Sequence, residues 1–493
     1  MQQYIIGIDQ STQGTKALLF DGGGAIVRRC DKPHRQIVDA RGWVEHDPQE
    51  IYRHTVDVVR ALVESSGIEK RQIAGIGISN QRETALAWNR ETGEPVYNAI
   101  VWQCARGEQI CRRIAAAGAA ETVRRVTGLR LSPYFSAAKL AWILENVPGA
   151  AELQARGALC LGNIDAWLLY KMTDGRVYKT DYSNASRTQL FNVEKLTWDP
   201  EICALFGVRP EALPEVCDSD SFFAGTTLNG FFDTPVPVHG VLGDSHGALF
   251  GQGCLSPGMT KATYGTGSSI MMNIGPRPVF SGQGVVTSLA WKIGGEVSYV
   301  LEGNINYTGA VITWLKEDVG LIASAGETQA LAEAANPRDE SYLVPAFSGL
   351  GAPYWNSEAR AILCGMSRTT GKKEIVRAAL DGIAYQIADI VNVMNESAPV
   401  AISQLRADGG PTRNGYLMQA QSDILQLPVL VPDAEELSGM GAAYAAGLAM
   451  GFFDREKLFA RTRRVSYEPR MTAAERERKY AGWKEAVRRA LGA

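Results

Sequence analysis

The sequence has few features that would direct the protein to nucleic acid, to a membrane or to a disulfide framework. Its net charge of −3 gives no basic field for nucleic acid. No apolar run reaches the roughly 18 residues of a membrane-spanning helix, and the start MQQYIIGIDQ has no basic region or cleavage site of a signal peptide. The eight cysteines are scattered, and the closest pair, Cys104 and Cys111, matches no metal or redox motif. These absences favour a cytoplasmic enzyme with reduced thiols and no nucleic-acid or membrane partner.

Strand-like and helix-like segments alternate along the chain, which predicts an α/β fold. At 493 residues the chain exceeds what one hydrophobic core usually serves, so we expect two large domains. Asp47 and Pro48 have the pattern of an N-cap and a first helical residue. The segment ELSGMGAAYAAGLAMG is rich in small residues and predicts a helix that packs very closely against a neighbour. The predicted strands include 4–8, 16–20 and 73–79, and the predicted helices include 48–65, 137–146, 163–172 and 414–425.

Two glycine-rich turns and one carboxylate carry the main functional signal. The segments GIDQSTQGTKALLF and ATYGTGSSIMMN each predict a strand, a tight Gly/Thr/Ser turn and a second strand. Such turns direct backbone N–H groups and hydroxyls towards an anion. Between them, the segment VLGDSHGALFGQG presents Asp244 at the end of a predicted strand. The arrangement predicts a phosphate clamp with a base directed into it.

The repeat of this loop also predicts a duplicated α/β unit. We place its boundary near residues 248–258, where the turn LSPG occurs. The predicted N-terminal domain, residues 1–250, contains the first glycine-rich turn and Asp244. The predicted C-terminal domain, residues 251–493, contains the second glycine-rich turn.

Several longer segments carry a recognisable pattern, and they are ISNQRET, GWVEHDPQEIY, YNAIVWQC, TDYSNASRT, PAFSGLGAPYW and YAGWKEAV. These segments resemble the FGGY carbohydrate kinases, and within them the glycerol kinase branch. The resemblance extends from about residue 4 to about residue 490. It implies two ribonuclease-H-like domains of the actin and hexokinase type, with the active site in the cleft between them. It also implies ATP and magnesium as cofactors. It places the acceptor site, the first phosphate loop and the catalytic aspartate in residues 1–250, and the second phosphate loop and the adenosine site in residues 251–493.

The resemblance assigns the catalytic and metal-binding roles to two aspartates. Asp244 would orient the acceptor hydroxyl and take its proton, which is the work that phosphoryl transfer leaves to a protein base. Position alone would favour a helix-capping aspartate. Asp9, at the end of the strand IIGID, would hold magnesium, although an Asx-turn residue is the plain structural alternative.

The same resemblance assigns the nucleotide and acceptor sites. Lys16 stands where glycerol kinases often have arginine, and it can serve as a point charge for phosphate. For the acceptor, an arginine supplies donors, a glutamate supplies acceptors and an indole covers a C–H face. The nucleotide residues are Thr12, Gln13, Gly14, Lys16, Thr266, Gly309, Gly410 and Asn414. The acceptor residues are Arg82, Glu83, Trp102, Tyr134, Asp244 and Ser245.

Two positions depart from the pattern of the glycerol kinase branch. Ser245 stands where that branch usually has glutamine, and Ser269 stands where a phenylalanine usually walls the pocket. Both changes shorten a side chain, so they predict a larger and more polar acceptor pocket. His246 is interpreted either as a further contact to such an acceptor or as a histidine on the helix surface.

The leading function is therefore ATP-dependent phosphorylation of a terminal hydroxyl of a small polyol or sugar, with glycerol as the first acceptor. A kinase for a four- or five-carbon polyol or a ketopentose such as xylulose is the alternative within the family. A nucleotide-switch ATPase of the actin or chaperone type is the alternative of another class. A dinucleotide oxidoreductase is excluded, because no G-x-G-x-x-G follows the first strand. The sequence leaves open whether the chain forms a homo-oligomer.

Overall fold

The computed structural model describes residues 2–492 as alternating strands and helices. The strands are β1 (Tyr4–Gln10), β2 (Gly14–Phe20), β3 (Ile26–Pro33), β4 (Ile37–Val38), β5 (Val44–His46), β6 (Ile73–Asn80), β7 (Ala85–Asn89), β8 (Ala99–Ile100), β9 (Leu159–Asn163), β10 (Lys179–Asp181), β11 (Phe191–Asn192), β12 (Thr197–Trp198), β13 (Glu215–Cys217), β14 (Ala224–Thr226), β15 (Val236–Gly243), β16 (Thr260–Tyr264), β17 (Ser268–Gly275), β18 (Val286–Ile293), β19 (Glu296–Ile305), β20 (Tyr342–Val344), β21 (Ile362–Cys364), β22 (Leu405–Asp408), β23 (Val429–Pro432) and β24 (Arg464–Tyr467). The helices are α1 (Pro48–Ser66), α2 (Glu108–Ala116), α3 (Ala120–Thr127), α4 (Ser136–Asn146), α5 (Ala150–Ala155), α6 (Ile164–Met172), α7 (Tyr182–Ala185), α8 (Pro200–Leu205), α9 (Asp244–Gly251), α10 (Gly309–Glu317), α11 (Thr328–Glu333), α12 (Lys372–Ser397), α13 (Gly415–Leu425), α14 (Leu437–Ala449), α15 (Arg455–Ala460) and α16 (Ala473–Ala490).

Two large sheets organise these elements, and they repeat one pairing pattern. The N-terminal sheet has the order β14-β15-β6-β1-β2-β3, and the C-terminal sheet has the order β18-β19-β17-β16-β22-β23-β24. In the first sheet β1 pairs antiparallel with β2 and parallel with β6. In the second sheet β16 pairs antiparallel with β17 and parallel with β22. The predicted mixed α/β fold is confirmed, and both glycine-rich turns connect the first hairpin of a sheet.

The helix predicted from Asp47 and Pro48 forms as expected. It is α1, in which Pro48 is the first residue and the Asp47 carboxylate accepts a hydrogen bond from the backbone N–H of Gln49. The helix ends at Gly67, whose φ of 71° lies in the left-handed region that favours glycine. The predicted helices at 137–146, 163–172 and 414–425 likewise correspond to α4, α6 and α13, with bounds that differ by one residue at most.

The small-residue helix α14 packs as closely as its sequence predicts. It belongs to the C-terminal half of the chain but lies on the N-terminal sheet and against α9. A Cβ atom added to Gly441 would lie 1.8 Å from the carbonyl oxygen of Gly247, and one added to Gly77 would lie 2.2 Å from that of Ala442. Only glycine allows these backbones to approach so closely. The helix therefore brings its N-terminal end to the edge of the N-terminal sheet where Asp9 lies.

No helix among residues 2–492 is both long enough and apolar enough to cross a bilayer.

Candidate active site between the two sheets

Three of the predicted site residues meet at one edge of the N-terminal sheet. The strands β1, β6 and β15 run parallel, with Asp9 opposite Ser79 and Gly243 opposite Asn80. Asp9 therefore lies near the end of one strand, while Arg82 and Asp244 directly follow the other two. This edge, beyond the carboxyl ends of parallel strands, is where open α/β sheets bind their ligands.

Arg82 links the N-terminal sheet to the C-terminal sheet. Its two terminal guanidinium nitrogens each donate to Glu302 on β19, at 2.9 Å. Its Nε lies 3.0 Å from Oδ1 of Asp244. The Arg82 side chain is buried, whereas the Asp244 side chain is 33% exposed. Asp244 is thus held by an oriented cation while it still faces the cleft.

A second buried arginine completes this ion network. Arg187 lies 2.6 Å from Glu83 and 2.8 Å from Glu302. Burial disfavours a charged Glu302, but Arg187 and Arg82 outweigh it and hold the pKa of that carboxyl below its usual range. Burial raises the pKa of Glu83 despite the same two arginines. The network fixes Glu83 with a positive φ of 60°, a conformation that is uncommon outside glycine.

Sequence reasoning missed Arg187 and Glu302. Arg187 lies inside TDYSNASRT, a segment that carried the family resemblance but in which no residue was singled out. Glu302 interrupts the apolar run YVLEGNI. A single carboxylate within this run is the sequence signal that could have identified Glu302 as a functional candidate. Glu302 binds Arg82, which is 220 residues away in the chain, and Arg187 binds Glu83, which is 104 residues away.

The predicted aromatic residues form one wall beside this network. The rings of Trp102 and Tyr134 pack edge to face with centroids 5.5 Å apart. The Trp102 indole N–H donates to Oγ1 of Thr12 at 2.9 Å. Thr12, predicted to bind phosphate, therefore has its hydroxyl on the acceptor side of the first loop, where it orients the indole.

Asp9 lies among further carboxylates. Burial raises the pKa of Asp9 to about 6, and the negative charges of Asp244 and Glu436 act in the same direction. Lys16 opposes this shift, yet its Nζ donates to Glu436 at 2.6 Å. The Ser79 hydroxyl donates to Asp9 at 3.1 Å. The negative charge of these three carboxylates is only partly compensated by Lys16, which favours a cation near Asp9.

Two adjoining cavities continue from Asp9 into the C-terminal half. The first has a volume of about 460 Å³ and is lined by Asp9, Lys16, Gly409, Gly410 and Glu436 among others. The second has a volume of about 700 Å³, and Gly410 lines it as well. Gly309 and Asn414 also line the second cavity. The cavities together form one continuous tract that contains four of the predicted nucleotide residues.

The other predicted phosphate residues lie at the tips of the two turns. Gln13 and Thr266 are exposed. The carbonyl oxygen of Gly14 accepts from the backbone N–H of Ser11 at 2.9 Å, which closes the first turn. The carbonyl oxygen of Thr266 accepts from the N–H of Thr308 at 2.8 Å, which fixes the second turn against the start of α10.

Asp408 is a further residue that lines the first cavity, and the sequence analysis did not identify it. It ends β22 and accepts from the Gln252 side-chain amide at 2.9 Å. Burial raises the pKa of this carboxyl, although Lys261 opposes the shift. Because β22 pairs parallel with β16 as β6 pairs with β1, the counterpart of Asp408 in the N-terminal sheet is Ser79, which lies opposite Asp9.

The residues that depart from the glycerol kinase pattern lie around Asp244. The Ser269 hydroxyl lies 3.5 Å from Glu302, and the backbone N–H of Ser245 donates to the Asp244 carboxylate at 2.6 Å. His246 is fully buried, and within residues 2–492 neither ring nitrogen has a hydrogen-bond partner. The interpretation of His246 as a helix-surface residue is therefore wrong, because its side of α9 faces the interior. Burial and Arg82 lower its pKa well below the usual range.

Comparisons with known proteins agree with this architecture. The model of the FGGY carbohydrate kinase N-terminal domain matches residues 4–251, and that of the C-terminal domain matches residues 260–450. Glycerol kinase 1 of Thermotoga maritima is 48% identical over 490 residues, which cover 99% of both chains. The structure of Plasmodium falciparum glycerol kinase with ADP aligns with a TM-score of 0.93 at 35% identity, over 99% of this chain and 98% of that one. A xylulose kinase from Lactobacillus acidophilus aligns with a TM-score of 0.89 at 22% identity, over 100% of this chain and 99% of that one, and so shows the fold alone. The chain belongs to the FGGY family of carbohydrate kinases.

Proposed function

We propose that the protein transfers the γ-phosphoryl group of ATP to a terminal hydroxyl of a small polyol, with glycerol as the leading acceptor. The observation that carries the proposal is the position of Asp244. Its carboxylate contacts Arg82 of the acceptor network and lies close enough to Asp9 to raise that residue's pKa. It thus stands between the acceptor side and the phosphate side of the cleft. The relatives named glycerol kinase support glycerol over longer acceptors.

On the acceptor side, the network presents both donors and acceptors to a polyol. Arg82 supplies N–H groups that are held in place by Glu302, and Glu83 supplies carboxylate oxygens that are held by Arg187. Trp102 and Tyr134 cover the C–H face of the carbon chain. A substrate bound in this way has its terminal hydroxyl next to Asp244.

Asp244 then acts on that hydroxyl as the base. It accepts the proton as the hydroxyl oxygen forms its bond to the γ-phosphorus and the bond to the β,γ-bridging oxygen breaks, which releases ADP. Phosphoryl transfer depends mainly on positioning and charge stabilisation, so the protein's task is to align these groups. Arg82 keeps the Asp244 carboxylate oriented before the acceptor arrives.

On the nucleotide side, we place adenosine in the cavity bordered by Gly309, Gly410 and Asn414. The phosphates would extend past Gly409 to Lys16 and Asp9 in the adjoining cavity. Asp9 is the residue that would hold magnesium, helped by the surplus of carboxylate charge around it. Magnesium bound there would neutralise charge on the phosphates. In this arrangement Lys16 exchanges its contact with Glu436 for a phosphate oxygen.

The two predicted domains keep their assigned roles in this proposal, with two additions. Residues 1–250 supply Asp9, Asp244 and most of the acceptor network, whereas residues 251–493 supply the adenosine cavity and also Glu302 of the acceptor network. Glu436 and Ser438, next to and within α14, also line the cavity beside Asp9. The C-terminal half thus reaches into the phosphate site of the N-terminal half.

An ADP-release assay over three- to six-carbon polyols and ketoses tests the function. We expect ADP release to require an acceptor, with glycerol among the active ones and Asp244→Asn as the inactive control. ADP release that is equally fast without any acceptor would favour a nucleotide-switch ATPase instead. Preference for xylulose or a four-carbon polyol over glycerol would favour the second candidate, for which Ser245 and Ser269 provide the structural reason.

A further inference from the structure

A cluster of histidines lies outside the cleft, behind the first phosphate turn. His34 follows β3, and His54 lies on α1 one helical turn after Glu50. One side-chain ligand atom from each of His34, Glu50 and His54 lies within 4.8 Å of the other two. Among residues 2–492, this is the one such group of histidine, cysteine and acidic side chains. The kinase reaction proposed above makes no use of it.

The unused nitrogens of this cluster point to a ligand. Nδ1 of His34 and Nδ1 of His54 are both buried and have no hydrogen-bond partner within the described chain. The two rings stack with centroids 5.3 Å apart and an angle of 9° between their planes. His46 packs beside them, fully buried, with its Nε2 also unpartnered. Buried polar atoms without partners are rare and call for an explanation.

We propose that His34, Glu50 and His54 form a binding site for a divalent transition-metal ion such as Zn²⁺. Glutamate and histidine four residues apart share one face of a helix, which is a common way to present two ligands to one ion. Nδ1 of His54 already lies 3.9 Å from Oε1 of Glu50. Bonds of about 2.1 Å to a tetrahedral ion bring ligand atoms to within roughly 3.5 Å of each other. Each imidazole binds an ion in the plane of its ring, so the site is completed by side-chain shifts that turn one of the two stacked rings towards the ion.

The chemistry of the ligands selects the class of ion. Imidazole nitrogens suit zinc, copper, nickel and iron, whereas magnesium and calcium prefer oxygen ligands. A neutral imidazole keeps a lone pair on one ring nitrogen, and this is the form that binds such an ion. The His54 and Glu50 side chains are 14% and 20% exposed, which leaves a path from solvent and room for a water as fourth ligand.

The surrounding contacts resemble those that orient metal ligands. The backbone N–H of Arg35 donates to Oε1 of Glu50 at 2.9 Å. Nε2 of His34 lies 2.9 Å from the Thr15 hydroxyl and 3.1 Å from the side-chain nitrogen of Gln10. An ion on Nδ1 requires the ring proton on Nε2, where Thr15 accepts it and from which the Gln10 amide must turn away. The backbone N–H of His34 donates to the carbonyl of Gln13 at 2.8 Å. A bound ion would therefore join α1 to the first phosphate turn.

Zinc binding to the full-length protein tests this site directly. The metal-stripped protein is titrated with Zn²⁺ in competition with a chromophoric chelator and in excess Mg²⁺, which occupies sites built from oxygen ligands. We expect one Zn²⁺ per chain, and we expect Glu50→Gln and His54→Ala each to weaken binding at least about tenfold. The matched controls are Glu64→Gln, an exposed residue of the same helix, and His239→Ala, a histidine of another strand. Neither control should change the affinity.

The effect of each variant on Zn²⁺ affinity distinguishes binding at His34, Glu50 and His54 from binding at the carboxylates of the cleft. Absence of Zn²⁺ binding to the unmodified protein, or binding that neither Glu50→Gln nor His54→Ala weakens, would overturn the proposal. Glu50→Gln keeps the size of the side chain, so it decides the question even if His54→Ala fails to fold. Substitution by Co²⁺ gives an independent readout: we expect visible absorption of a four- or five-coordinate ion in the unmodified protein and its loss in Glu50→Gln.

Discussion

The acceptor side and the nucleotide side of the cleft are built differently. On the acceptor side, Arg82, Arg187, Glu83 and Glu302 are buried and paired with one another. On the nucleotide side, Gln13 and Thr266 are exposed at turn tips, and Lys16 is engaged by Glu436. The acceptor groups therefore already have their working orientation, whereas the phosphate groups must exchange partners when ATP binds. This difference implies an acceptor site that is preorganised and a nucleotide site that is completed by its ligand.

The largest expected effect comes from removing the base that lies between the two sides. Asp244→Asn keeps the shape of the side chain and its contact to Arg82 but cannot take the proton. We expect kcat to fall by about 10²- to 10⁴-fold while ATP binding is retained. Steady-state kinetics and a nucleotide-binding titration check this. A variant that keeps most of its turnover would show that Asp244 is not the base.

Breaking the acceptor network should cost stability as well as activity. Glu302→Gln leaves Arg82 and Arg187 buried with one carboxylate fewer, and uncompensated buried charge costs about 3–5 kcal/mol. We expect the free energy of unfolding, measured by denaturant titration, to fall by an amount of that order. Glu296→Gln, at the exposed start of the same strand, is the matched control and should be neutral. Equal stability of the two variants would contradict the description of a paired, preorganised network.

On the nucleotide side, removing a carboxylate should raise the stability of the protein, whereas on the acceptor side it should lower it. The pKa of Asp9 is raised from 3.8 to about 6 in the folded protein, so the folded state holds its proton more tightly than the unfolded state. Ionisation of Asp9 therefore lowers stability as pH rises through this window, with the full cost above about pH 6 and none below about pH 4. We expect Asp9→Asn to stabilise the nucleotide-free protein at pH 7.5, by an amount on the order of 1–3 kcal/mol.

Thermal unfolding at pH 7.5 and pH 4 checks this prediction. The gain from Asp9→Asn should disappear at the lower pH, and Asp233→Asn, an exposed aspartate, should show no gain at either. If Asp9→Asn instead lowers the stability at pH 7.5, the protein's own groups already balance the negative charge of Asp9 without a bound cation. The same variant should lose Mg²⁺-dependent kinase activity.

A smaller effect is expected from the size of the acceptor pocket. The second candidate function rests on Ser245 and Ser269 and predicts that glycerol is a poorer substrate than at least one four- or five-carbon polyol or ketose, whereas the leading proposal predicts a preference for glycerol. Restoring bulk with Ser245→Gln and Ser269→Phe together should shift the preference towards glycerol by about 1–3 kcal/mol, because a small acceptor in a wide pocket loses positional restraint. Values of kcat/KM across acceptors for both proteins measure this shift. If the unmodified enzyme prefers glycerol over every longer acceptor, the prediction of an enlarged pocket is wrong and the proposal of a glycerol kinase activity stands.

The sequence predicted the local elements of the fold well, because their causes are local. The N-cap Asp47 with Pro48 predicted the start of α1. The small residues of α14 predicted a close helix contact, although not that its partners are α9 and the N-terminal sheet. The resemblance to known kinases supplied the catalytic assignments that periodicity alone does not contain.

The pairings across the cleft could not be predicted in this way. Lys16 and Glu436 are 420 residues apart, and Arg82 and Glu302 are 220 residues apart. Such contacts depend on how the two sheets are placed, which no local pattern encodes. The burial of His246 is a further case, since a short helix beginning at Asp244 gave no indication of which face would lie inside.

The most direct test of the difference between the two sides is acceptor binding in the absence of nucleotide. Isothermal titration of the nucleotide-free protein with glycerol, or with the acceptor that has the highest kcat/KM, measures whether the acceptor site is complete by itself. A preorganised network predicts binding with a Kd within about tenfold of the KM measured at saturating ATP. Binding that appears only after a non-hydrolysable ATP analogue and Mg²⁺ are added would contradict the account.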